Sequence, residues 1–178
     1  MVVVLKIFVL TVKRACLSKV GMSMTRWLWV SVFTVVFDQA SKFAVLTMME
    51  LYQTIAVMPF VNFTYVHNTG AAFSFLSQAG GWQRWFFAFF AVVISLVLLV
   101  WLIRLKPHER LLAVALSLVL GGAIGNLIDR VALGYVIDFI DVYYQSWHWP
   151  VFNIADCAIT IGVALLVLDS LLSKEVEG

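Results

Sequence analysis

Apolar residues along this chain gather into four long runs, set apart by polar stretches of two different kinds. Runs of roughly twenty apolar residues match the hydrocarbon thickness of a bilayer when wound as helices. They predict spanning helices over about 27–47, from Trp82–Phe86 to 105, over 111–129 and from 152–153 to 172. Trp82 and Trp85 form an aromatic pair suited to the membrane interface at the start of the second. Between the first two runs the period changes. Phe60-Val-Asn62-Phe63-Thr64-Tyr65-Val66 alternates at period two, a strand signature. His67-Asn68-Thr69-Gly70 reads as a turn and Ala71 to Phe75 resumes an extended pattern, so a small hairpin or sheet lying on the membrane surface is expected. Residues 131–152, with Tyr135, Phe139, Tyr143, Tyr144, Trp147 and Trp149, form an aromatic amphipathic connection expected to lie along the interface.

Composition settles the class. The chain is 63% hydrophobic and 12% charged, with a mean hydropathy of +0.99, where soluble domains carry roughly 25% charged residues. The expected fold is a polytopic α-helical membrane protein with four transmembrane helices, a small extramembrane β element and an interfacial segment between helices three and four. A net charge of +2 gives no reason to invoke nucleic acid. Lys and Arg cluster at 13–26 and 104–110, and Lys174 closes the chain, whereas 48–81 and 131–152 contain neither. The asymmetry places both termini in the cytoplasm and the β element outside. Val2 to Val12 is too short to span and lacks the pattern of a cleavable signal, so it reads as an interfacial helix or as an over-called start ahead of Met22 or Met24. Cys16 and Cys157 have no metal or disulfide spacing and read as packing residues.

The candidate chemistry sits at the margins of the apolar runs. Asn126-Leu-Ile-Asp129-Arg130 and Asn153-Ile-Ala-Asp156 are two Asn-x-x-Asp units at adjoining ends of helices three and four. Spacing of three puts each Asn beside its Asp on one helix face. Two carboxylates brought together can share one proton, one acting as general base and the other as general acid. Asp38 and Lys42 stand i, i+4 deep in the first run, either as a self-neutralised structural pair or in contact with the site. Gly121 to Gly125 is a small-xxx-small pattern that permits close helix approach. A proton-coupled transporter or channel using Asp38, Asp129 and Asp156 as a relay is the rival, and it predicts acids spread through the membrane depth. His67, His108 and His148 are scattered and form no HExxH metal site.

Five motifs in order, Asp38-Gln-Ala-Ser-Lys42, Asn68-Thr-Gly-Ala-Ala-Phe73, Gly125-Asn-Leu-Ile-Asp-Arg130, Val136-Ile-Asp-Phe139 and Phe152-Asn-Ile-Ala-Asp156, resemble the lipoprotein signal peptidases, or signal peptidase II. The resemblance covers about residues 25–172. It implies an aspartic endopeptidase of the bacterial inner membrane that cleaves prolipoproteins before a diacylglyceryl-modified Cys, without a cofactor or metal. The catalytic pair would be Asp129 and Asp156. Asn126, Arg130, Asn153, Asp38, Lys42, Asn68 and Asp138 would bind substrate or support the site. The implied organisation is a cytoplasmic extension over 1–26, one peptidase domain over 27–172 and a cytoplasmic tail over 173–178. Within the domain, 48–81 would be a periplasmic cradle and 131–152 a lid. The enzyme is expected to work as a monomer among membrane lipid.

Overall fold

The computed structural model describes residues 25–70 and 81–177. The expectations for the basic segment 1–24, Cys16 among it, and for the extended stretch 71–75 fall outside those residues. Four helices carry the fold: α1 (Leu28–Met48), α2 (Gln83–Arg104), α3 (Arg110–Ala132) and α4 (Ile154–Glu177). All four are long and apolar enough to cross a membrane. The strands are β1 (Thr54–Met58), β2 (Val61–Asn68), β3 (Val136–Tyr144) and β4 (Trp147–His148).

Helix α3 is the axis of the bundle and packs against the other three. Half of its span is buried, against 17–28% for the others, because its composition changes from Leu and Val to small residues. A Cβ on Gly125 would stand 2.6 Å from the Asp38 carboxylate. One on Gly122 would run into the Ala155 carbonyl. The small-xxx-small pattern therefore brings α1 and α4 against α3 at the level of the acidic residues, and dispersion contacts at that distance supply association that lipid cannot. Near the opposite end, Leu98, Leu102, Leu105, Leu116 and Leu120 form an ordinary apolar core.

The strands form one antiparallel sheet in the order β1-β2-β3-β4. Two expectations change here. His67 and Asn68 are strand residues, paired with Ile137 and Val136, and β2 turns at Pro59-Phe60, where Phe60 takes a φ of 71°. The 131–152 connection contributes β3 to the sheet and does not merely lie along the interface. Apart from Asp138 and Asp141, its core, Val136-Ile-Asp-Phe-Ile-Asp-Val-Tyr-Tyr, is β-branched or aromatic, and pairing with β2 satisfies backbone groups that lipid would leave bare. Phe152, just ahead of α4, exchanges backbone hydrogen bonds with Ile140. The strand and the start of α4 are stitched together.

Filling the α3 interface should be costly. Gly122→Ala is expected to destabilise the protein by about 1–3 kcal/mol through overpacking, read as a lower Tm in detergent. An unchanged Tm would mean that the helices do not approach as closely as described.

Candidate active site

The first turn of α4 is fixed by a reciprocal cap. Asn153 Oδ1 accepts from the Asp156 N–H at 2.9 Å, and the Asp156 carboxylate accepts from the Asn153 N–H at 3.2 Å. This is a capping box with Asn and Asp in place of the usual Ser and Glu. The other Asp156 oxygen accepts from Asn126 Nδ2 at 2.8 Å. Asn126 therefore reaches the start of α4, while Asp129, one turn on along α3, meets Gln39 and Lys42 of α1 and the Ile137 N–H of β3.

Lys42 occupies the centre. It is 1% exposed, and its ammonium lies 2.8 Å from Asp38 and 2.9 Å from Asp129, with Asn126 Oδ1 at 3.0 Å. The Asp38–Lys42 pair is thus both structural and part of the site. Asp38 uses its other oxygen to accept the Ala155 N–H at 2.9 Å, holding α1 to α4. Asp129 is fully engaged: Gln39 Nε2 donates to one oxygen at 2.8 Å, and the Ile137 N–H donates to the other at 3.1 Å beside Lys42.

Asp138 enters from β3 and is 1% exposed. Its oxygens accept from Asn153 Nδ2 at 2.6 Å and Asn68 Nδ2 at 2.9 Å. No cation contacts it among the described ion pairs. Burial, then the negative charge of Asp156, pushes its carboxyl up to about 7, while the two asparagine bonds and Lys42 pull the other way. Arg130 donates to the carbonyls of Asn126 and Gly70 and lies over the Phe87 ring. It ties α3 to the end of β2.

All the singled-out residues thus converge at the sheet end of the bundle. Asp38, Asp129, Asp138 and Asp156 belong to one hydrogen-bonded network, whereas a relay would string its acids through the membrane. Two contributors escape the sequence reading. Gln39 bridges Asp38, Asp129 and the Gly125 carbonyl; it lies inside the Asp38–Lys42 motif, but the sequence reading gives its amide no role. Arg84 donates at 2.7 Å to the carbonyls of Arg130 and Val131, closing the last turn of α3. Nothing in the spacing of α2 announces that contact.

Four spans closing around a buried cluster of carboxylates and carboxamides define a polytopic membrane protein with an enclosed acidic centre. The family model described as signal peptidase (SPase) II matches residues 30–172. A lipoprotein signal peptidase of Alteromonas mediterranea is 58% identical over 144 residues, covering 81% of this chain and 79% of that protein. One from Pseudomonas syringae pv. tomato is 53% identical over 163 residues, covering 90% and 94%. A solved bacterial membrane enzyme superposes with a TM-score of 0.78 at 35% identity, covering 86% of this chain and 92% of that one. The chain belongs to the signal peptidase II family. It is accordingly a multi-pass protease of the bacterial inner membrane.

The Asp138 carboxyl gives a pH signature. Folded protein keeps this proton up to about 7, where an unfolded chain releases it near 3.8. Its contribution to stability is complete below the lower value and is lost as pH rises through the higher one. The Tm of the wild type minus that of Asp138→Asn should therefore fall across this window and then level off. Parallel curves would remove the buried carboxyl from the account.

Proposed function

We propose that this protein removes signal peptides from bacterial prolipoproteins, cleaving before the diacylglyceryl-modified Cys, and that Asp138 and Asp156 are its water-activating pair. Asp156 keeps the role its motif implies. Asp138 takes the place expected for Asp129, which becomes a positioning residue. One observation carries the choice: Asn153 bridges Asp138 and Asp156, through its side chain to one and its N–H to the other, while the Lys42 ammonium is spent on Asp38 and Asp129. Two carboxylates that no described ion pair reaches, with the charge of Asp156 pushing the Asp138 carboxyl up, are the arrangement in which one proton is shared.

In the reaction the ionised member takes a proton from water as its oxygen attacks the scissile carbonyl, and the protonated member hydrogen-bonds the carbonyl oxygen as charge develops there. Collapse of the tetrahedral intermediate breaks the C–N bond, with a proton passed to the leaving amine of the lipidated Cys. Asn68, Asn126 and Asn153 hold the carboxylates in orientation. The β1–β2 hairpin within 48–81 cradles the extended segment around the scissile bond. The 131–152 connection, bearing Asp138, forms a wall of the same chamber. The sheet lies on the periplasmic side and both termini in the cytoplasm, a reading that the basic flanks support. We take the enzyme to act as a monomer.

The assignment separates by activity and stability together, using purified variants and a diacylglyceryl-modified precursor. Asp138→Asn and Asp156→Asn should each lose about a thousandfold in kcat/KM without a fall in Tm. Asp129→Asn breaks a buried ion pair and should cost about 3 kcal/mol of stability. An Asp129→Asn enzyme as stable as wild type but inactive, beside an active Asp138→Asn enzyme, would return the catalytic role to Asp129.

A further inference from the structure

Helices α1 and α2 both pack on α3, and between them runs a furrow floored by α3. Its volume is about 560 Å³, with walls from Val32 and Val35 of α1, Val92 and Leu96 of α2, and Leu120 and Ile124 of α3. All three helices are membrane spans. A furrow that opens to the hydrocarbon of a bilayer is filled by hydrocarbon, since neither water nor a vacuum is stable there. It is too small to seat a second helix, whose diameter with side chains is about 10–12 Å, but it can take a single extended chain.

Its position selects the source of that chain. On α1 the lining residues Leu28, Val32 and Val35 step by four and three, and the next step is Gln39. On α3, Leu127 lines the furrow one residue from Asn126. Gln39 is partly exposed and its amide is bonded to Asp129. The furrow therefore begins beside the acidic network and runs inward along α1 for about 12 Å. Ser31 and Ser95 keep it open where larger side chains would fill it.

We infer that this furrow is the seat of one acyl chain of the substrate's diacylglyceryl group, held there while the thioether-linked Cys lies at the acidic network. The inference rests on the proposed peptidase activity and adds a specificity determinant to it. Apolar burial along the chain would contribute to substrate affinity in proportion to the methylenes enclosed. It would also set the position of the Cys relative to Asp138 and Asp156.

The test uses two synthetic lipopeptide precursors that differ only in their acyl chains, hexadecanoyl or butanoyl, with Val35→Trp and Ser95→Phe filling the furrow from opposite walls. Val35→Trp and Ser95→Phe should each raise KM for the long-chain precursor roughly tenfold, the effect of turning out about two methylene groups, with kcat and the butanoyl KM little changed. Equal losses on both precursors would assign the furrow to the signal peptide, and no loss on either would assign it to bilayer lipid; both overturn the inference. A second measurement does not depend on how the filled variants fold. Long-chain precursor carrying a diazirine in its acyl chain, bound to Asp156→Asn enzyme, should crosslink to Val35, Val92 or Ile124, and crosslinks confined elsewhere contradict the assignment. Failure of wild type to cleave either precursor would instead count against the peptidase reading itself.

Discussion

The structure depends on neutralising one buried ammonium. Lys42 is almost wholly enclosed within a membrane bundle, where an unpaired charge would cost several kcal/mol even after relaxation. Asp38 and Asp129 meet that demand from two helices, and Asn126 adds a neutral acceptor. The same contacts fix the relative rotation of α1 and α3. Asp38 then reaches Ala155, so α4 is set by the same centre. Removing either acid would leave charge exposed to hydrocarbon, which makes this an arrangement with few alternatives.

Once two of the four acids are committed to Lys42, the remaining two acquire a different character. Asp138 and Asp156 are held by asparagines, which fix geometry without supplying positive charge. Small residues on α3 permit the close approach, and β3 delivers Asp138 to the entrance of α4 through the bonds between Ile140 and Phe152. The outer sheet is tied by another acid. Asp141 accepts from Asn62 and Thr64 and contacts the His148 ring at 2.8 Å. Burial pushes its carboxyl up, but these partners together hold it below the usual value.

Much of this was legible in the residues. Runs of apolar length gave four spans, and three-residue spacing placed Asn126 with Asp129 and Asn153 with Asp156, because helical geometry is local. The i, i+4 relation of Asp38 and Lys42 was visible for the same reason, but its reach to Asp129 was not, since that contact joins different helices. Val136–Tyr144 read as an interfacial strip because its partner β2 is some seventy residues away, and aromatic content serves interface and strand alike. Asp138 was legible as a motif position. Its pairing with Asp156 depends on the β3–α4 junction, which no periodicity encodes.

The central claim is that the shared proton belongs to Asp138 and Asp156, with Asp129 held by Lys42. Infrared spectroscopy of protein labelled with isotopic aspartate tests it most directly, by the carbonyl band of a protonated carboxyl just below neutral pH. The account predicts that the band is present in wild type and in Asp129→Asn, and is lost in Asp138→Asn and in Asp156→Asn. A band that disappears in Asp129→Asn and persists in Asp138→Asn would contradict it.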